Sequence, residues 1–369
     1  MKKTLIALTL AALPVAATAD VTLFGNIKGG VEVTKVSGVD NTITNLNDFD
    51  SSFGIKGHEH IGAGVSAIWQ VEQSVSLDNK SADNDRLGDW ETYIGLSIDN
   101  VGTLYAGHVS DAMNKGMDTL DKWIASDLSI GKLGNTFGRT SARYTGVRFE
   151  TANFGGFSAN VEYSPEDNNR YDQARDAADA GAVAGSTGDT LLGNLGGLQG
   201  AAGVLNTVTT GGDVASVGLS YDHFGFFAKY GYKRIAGVFQ GHQDDSDIHR
   251  VELGYDANNL FVGLGYQYTK NFEAPVNGDT ETQEAALTVA YTIGAFTPKL
   301  TYATGWEDAF KYDQAIVGVD YALSKRTKAA ASVAWAKGGL GLGGHASATG
   351  DITPRQEAYT VSIGLSHLF

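Results

Sequence analysis

From Ala358 to Phe369 the chain alternates strictly, with Tyr359, Val361, Ile363, Leu365, His367 and Phe369 on one side and Thr360, Ser362, Gly364, Ser366 and Leu368 on the other. A period of two marks a strand with one apolar and one wet face. Left at a sheet edge, so apolar a strand would offer its unpaired N–H and C=O row to other chains. Closing the sheet removes the edge. A matching strand stands near the other end, where Val21, Leu23, Gly25, Ile27, Gly29, Val31 and Val33 alternate with Thr22, Phe24, Asn26, Lys28, Gly30 and Glu32. The two are expected to pair and seal a barrel.

A repeat fills the interval between them. Val217-Gly-Leu-Ser-Tyr221, Val251-Glu-Leu-Gly-Tyr255, Leu287-Thr-Val-Ala-Tyr291 and Val317-Gly-Val-Asp-Tyr321 share one shape, and each tyrosine is followed by a short turn and another alternating strand. The tyrosines lie about 30 to 36 residues apart, the length of two membrane strands of about 10 residues with one short and one longer connection. Such a strand rises about 33 Å and, tilted near 45°, spans the roughly 25 Å apolar band of an outer membrane. Tyrosines at the turn end would form an interfacial girdle. The polar faces carry Lys28, Lys56, Arg148, Lys229, Arg250, Glu32, Glu72 and Glu252, which suits a wet lumen better than the dry interior of a soluble sandwich. Counting from both ends gives an all-β, antiparallel transmembrane barrel of about 16 strands, wide enough for an aqueous channel.

The first residues form a leader: basic Lys2 and Lys3, an apolar run from Leu5 to Leu13, and Ala17-Thr18-Ala19 before Asp20. The run is far short of the roughly 20 residues of a membrane-spanning helix. Residues 1–19 therefore read as a cleaved signal peptide, and 20–369 as one barrel domain.

Composition narrows the function. Glycine (48), tyrosine (16) and phenylalanine (16) dominate over proline (5) and methionine (3), as strands and tight turns require. With no cysteine, disulfides, thiolate metal sites and cysteine nucleophiles are excluded. The formal net charge is −15, and loss of Lys2 and Lys3 with the leader makes it −17. That acidity argues against nucleic acid as a partner. No enzyme signature stands out. Gly339-Leu-Gly-Leu-Gly-Gly344 precedes no helix, and His58-Glu59-His60 offers two histidines on one face without a third ligand. No cofactor and no metal are expected.

The leader and Asp20-Val-Thr-Leu-Phe-Gly25 resemble the start of the neisserial-type general porins of Gram-negative outer membranes. The resemblance continues in Gly62-Ala-Gly-Val-Ser-Ala-Ile-Trp-Gln-Val-Glu72, Val147-Arg-Phe149, Val319-Asp-Tyr-Ala-Leu-Ser-Lys-Arg-Thr327 and Gly364-Leu-Ser-His-Leu-Phe369. It implies a homotrimer of 16-stranded barrels in outer-membrane lipid, passing small hydrophilic solutes. It further implies a third outward loop folded inward as a constriction, and a terminal Phe369 read by the outer-membrane assembly machinery. One departure is Gly107-His108, where relatives usually carry Gly-Arg; pattern alone leaves the face of His108 open.

The segment from Asp111 to Ala142 is the candidate constriction, with Asp111, Asp118, Asp121, Asp127 and Lys122, flanked by Arg139, Arg143 and Arg148. Lys28, Lys56, Glu72, Lys229, Arg250, Lys299 and His108 are candidate pore-wall residues. Acidic loop facing basic wall would set up a transverse field, although several of these charges are expected to pair structurally. The rival reading is a structural or adhesive barrel with host-facing loops and little conductance.

Overall fold

The computed structural model describes residues 20–37, 40–78, 87–117, 119–125, 130–133, 137, 142–165, 212–237, 244–271, 281–306, 311–338 and 357–369. Every regular element among them is a strand: β1 (Asp20–Val36), β2 (Thr42–Asp48), β3 (Ser51–Gly62), β4 (Val65–Val75), β5 (Thr92–Ile98) and β6 (Gly102–Ser110). Next come β7 (Arg143–Thr151), β8 (Phe157–Ser164), β9 (Val214–His223), β10 (Phe226–Ile235), β11 (Ser246–Ala257) and β12 (Leu260–Lys270). The last are β13 (Glu281–Tyr291), β14 (Phe296–Gly305), β15 (Tyr312–Ala322), β16 (Thr327–Gly338) and β17 (Glu357–Leu368). Sequence neighbours pair antiparallel, except that β2 and β3 both pair with β1, and β1 pairs with β17 from Asn26↔Leu368 to Val36↔Ala358. The ring is closed where the terminal patterns required it.

The 17 segments make 16 strands, because β2 and β3 are halves of one. β1 pairs Gly29 with Asp48 but Asn26 with Ser52, so one extra residue is accommodated between them. This is a bulge. Asp50 takes φ 75° there, and the Asp48 carboxylate accepts the N–H groups of Asp50 at 2.8 Å and Ser51 at 2.9 Å.

Short turns gather at one end of the barrel with Asp20 and Phe369, and the connections after β4, β6, β8, β10, β12, β14 and β16 leave from the other. The β11–β12 turn needs only Asn258 and Asn259, both at positive φ (54° and 64°). Asparagine tolerates that region, and the right-handed twist of a tight hairpin demands it.

Side chains sort as period two dictates, with apolar residues outside. Leu219, Leu253, Leu264, Val317 and Ile363 are half or more exposed on the outer surface, a distribution that is stable only against lipid. At the turn end the repeated tyrosines pack tilted or edge-on against neighbouring phenylalanines: Phe157–Tyr221, Phe226–Tyr255 and Phe296–Tyr321 have ring centroids 4.3, 5.0 and 4.7 Å apart. At the loop end Tyr163, Tyr232, Tyr266 and Tyr302 hydrogen-bond to polar partners on the next strand or just before it. Buried apolar residues lie inside, where the segment after β6 packs on the inner wall.

Candidate channel constriction

After Ser110 the chain turns into the lumen, and the turn is fixed by Asp111. Its carboxylate accepts the Asn114 N–H at 2.8 Å and the Lys233 ammonium at 2.7 Å, with Asp111 0% and Lys233 1% exposed. Ser216 donates to Glu162 at 3.0 Å and accepts the Ala112 N–H at 2.9 Å. The root of the loop is thereby locked to β8, β9 and β10.

Beyond the root the loop presents Met113, Met117, Leu120, Trp123, Ile124, Ile130, Leu133 and Phe137, all buried. Their bed on the wall is small. A Cβ on Gly231 would lie 3.1 Å from the Met113 sulfur, one on Gly265 3.0 Å from Leu120 and Phe137, and one on Gly318 2.9 Å from Trp123. Ala286, Ala303, Ala334 and Ala336 complete the bed and share apolar clusters with the loop. Had polar side chains filled those inward positions, as the period-two reading of the lumen implies, the loop could not have lain against them.

Polar groups of the wall hold the loop backbone in place. Arg250 donates from Nη1 to the Met117 carbonyl at 3.4 Å and from Nη2 to that of Phe137, while Nε bonds Gln267 at 2.7 Å. Glu252 accepts the Thr119 N–H at 3.2 Å, and Lys229 donates to the Thr119 hydroxyl at 3.0 Å. The Lys299 ammonium bonds the Lys122 carbonyl at 2.5 Å and Asp320 at 2.7 Å, and stands over the Trp123 ring, whose N–H donates to Thr301 at 2.8 Å. Gln314 donates to the carbonyls of Ile130 and Lys132. On the far side of the root, Arg148 bonds Glu91 at 2.8 Å and the Ser110 carbonyl at 3.0 Å, and lies over Tyr105.

The sequence-based candidates therefore part company. Asp111, Arg148, Arg250 and Lys299 are nearly or fully buried and tie the loop or its root down; they do not line open water. Lys229 joins them through Thr119. Asp121 and Lys122 reach the lumen surface, with Lys122 over the Phe261 ring at 4.1 Å, and Arg143 lies over Trp90 at 4.2 Å. Lys28, Lys56 and Glu72 face the lumen from the uncovered wall. Asp118, Asp127 and Arg139 lie outside the described residues. His108 is corrected: it pairs with Thr92 and Thr145 on the face of Ala106 and Leu104, which are exposed outside, so it is not a pore-wall residue. Acidic loop and basic wall do not oppose each other across the opening either. Among the described residues they meet as neighbours, since the loop lies on the basic wall.

A cavity of about 480 Å³ lies beneath the loop at the turn end, lined by Lys28, Lys122, Lys299, Lys328, Asp121, Asp256 and Asp320 among others. No group of three His, Asp or Glu side chains converges to hold a metal among the described residues. The anchors Lys233, Ser216, Thr301 and Gln314 were not singled out from the sequence, and Glu252 was read only as a charge on a lumen-facing strand face. The signal for their task was the run of glycine and alanine at inward positions of β12–β16.

A model of the family described as Gram-negative porin matches residues 25–369. The major outer membrane protein P.IB of Neisseria sicca is 37% identical over 385 residues, covering 92% of this chain and 95% of that protein. The P.IA protein of Neisseria meningitidis serogroup A is 31% identical over 424 residues and is covered, as this chain is, in full. Among solved structures, the anion-selective porin from Comamonas acidovorans superposes with a TM-score of 0.69 at 21% identity, over 95% of this chain and 100% of that one. Salmonella typhi OmpF, in complex with daunomycin, gives 0.61 at 14% identity, over 95% and 97%.

Proposed function

We propose, for a chain that belongs to the Gram-negative porin family and forms an outer-membrane channel for passive diffusion of ions and small hydrophilic solutes, a division of labour inside the barrel. Asp111, Arg148, Lys229, Arg250 and Lys299 hold the 111–142 segment against one half of the wall. Asp121 and Lys122 of the loop, Arg143 of β7, and Lys28, Lys56 and Glu72 of β1, β3 and β4 meet the passing solute. Asp118, Asp127 and Arg139 belong to the same loop segment by sequence. The observation that carries this reading is one-sided covering: the loop buries the small-residue bed of β10–β16, while Lys56 stays exposed and Lys28 keeps 21% of its side-chain surface.

Three further assignments belong with it. Residues 1–19 are a leader removed on export. Phe369, whose N–H and carbonyl pair with Gly25 at 3.0 and 3.1 Å and whose ring lies over it, is the residue the assembly machinery reads. The barrel works as a homotrimer, and the distribution of aromatics supports this. Tyrosine girdles run along β8–β15, whereas the outer face of β2–β6 is mostly aliphatic, with Leu46, Ile55, Ile94, Leu96 and Leu104 exposed. A sector without girdles fits contact with other copies better than contact with headgroups.

Refolded protein in a planar bilayer tests the reading directly. Conductance in steps grouped in threes is the expected result; correctly folded but silent barrels would overturn it in favour of a structural or adhesive role.

A further inference from the structure

The seam between β1 and β17 joins positions 326 to 340 residues apart in sequence. No other strand pair spans so much chain, so its closure carries the largest loop entropy. Side chains stitch its inner face: Ser366 donates to Asn26 at 3.0 Å, Ser362 to Glu32 at 2.9 Å, and the Thr34 and Thr360 hydroxyls meet at 2.8 Å. Between the first two stitches lies the rung Gly30↔Gly364, to which neither strand brings a side chain. Phe49 fills it. Its N–H donates to the Lys28 carbonyl at 3.0 Å, which places its backbone beside β1, yet a Cβ on Gly30 would lie 2.8 Å from its ring and one on Gly364 2.5 Å. The ring therefore crosses β1, over a strand spacing of about 4.8 Å, and touches the strand beyond. It is 1% exposed. Asn47, the preceding inward residue of β2, makes the same crossing with polar atoms: it donates to Glu32 at 2.5 Å, and the other Glu32 oxygen holds Ser362. The bulge fixes the backbone on both sides of Phe49, through the bonds of Asp48 described above and through the Lys28 N–H, which donates to Ser51 at 2.8 Å. From outside, Asp78 accepts the Asp48 N–H at 3.3 Å, and a Cβ on Gly29 would lie 2.8 Å from Leu77.

We propose that the β2–β3 bulge is a lock on the barrel seam: it aims Phe49 across β1 onto β17, so that the last strand is held by two strands and cannot peel from β1 until the ring leaves the Gly30–Gly364 rung. A strand peeled open in lipid exposes unpaired backbone groups, and opening there is the step that limits the lifetime of the folded barrel. The glycines of the rung are the other half of the device, since any side chain at either position would occupy the place of the ring.

The test uses the mature protein refolded in lipid vesicles, with two readouts: the unfolding rate, from the loss of heat-modifiable gel mobility, and amide hydrogen exchange strand by strand. Phe49→Ala should unfold about tenfold faster or more, and its exchange should rise along β1 and β17 while β12 and β13 stay as protected as in the wild type. Phe227→Ala removes a buried ring that stacks on Phe261 away from the seam, and should leave the protection of β1 and β17 unchanged. Because the chain has no cysteine, Thr34→Cys/Thr360→Cys can bridge the seam, at two positions paired in register. With that disulfide formed in both proteins, Phe49→Ala and its parent should unfold at the same rate, and reduction should bring the difference back. Phe49→Leu, which keeps an apolar side chain too short to reach β17, takes the place of Phe49→Ala in each comparison if the alanine protein does not fold. Seam amides as protected in the variant as in the wild type, or a rate difference that persists across the disulfide, would overturn the lock.

Discussion

Lys233 and Asp111 form an ion pair from which water is excluded on both sides, at the point where the chain leaves β6 for the lumen. Removing one member of such a pair strands the other without solvent, at a cost of about 3–5 kcal/mol. Lys233→Met should therefore lower the unfolding free energy obtained from urea titration by that much and add open-channel noise as the root loosens; an unchanged unfolding free energy would mean that water reaches Asp111. Glu91, just before β5, answers to pH. Burial pushes its carboxyl up, but the charge and hydrogen bond of Arg148 outweigh that, aided by Lys115, and hold it below its ordinary value of 4.5. A depressed carboxylate pKa stabilises the fold above the ordinary value, and that stability is lost as pH falls through the lowered one. Glu91→Gln should cost about 1–3 kcal/mol at pH 7, and the gap from wild type should close on acidification, as equilibrium unfolding at pH 7 and pH 3 would show. For His108, on the outer face, the expectation is negative. His108→Ala should leave single-channel conductance at pH 5 and pH 8 as it is in the wild type, and a pH-dependent change would return it to the lumen.

At the scale of elements, the constriction exists because two patterns match: an apolar loop and a wall whose inward positions are glycine or alanine where the loop lies. Gly265→Val puts carbon atoms where Leu120 and Phe137 already sit, 3.0 Å from the first added atom. Overpacking of this kind costs about 1–3 kcal/mol, and the loop can relieve it only by moving into the channel. Smaller conductance steps are the expected outcome, whereas steps of wild-type size would mean that the wall yields instead. Trp123→Ala acts in the opposite sense. It removes the indole that bridges Thr301 and lies beneath Lys299, a loss of about 3–5 kcal/mol for so large a buried side chain. Larger, noisier steps should follow.

At the scale of the molecule, stability depends on a closed ring, since any open edge would leave backbone groups unpaired in lipid. Phe369 sits on the seam, over Gly25, so Phe369→Ala should slow refolding into lipid vesicles, followed by gel mobility, while the barrels that do form still conduct. Alternation along each strand is a local property, fixed by backbone geometry and by the need to face lipid with apolar atoms. For that reason the sequence alone determined the strands, the closure of Val21–Val33 against Tyr359–Phe369, the turn-end tyrosines and the inward direction of Lys28, Arg148 and Arg250. Whether an inward charge meets water is not local. It depends on which part of another segment, over a hundred residues away for Arg250 and the 111–142 loop, comes to lie on it. Tertiary structure alone therefore turned Arg148, Arg250 and Lys299 from pore lining into anchors. It placed His108 outside through register with Thr92 and Thr145, and left Lys56 and Lys328 at the mouth as charges that solvent and solute can reach.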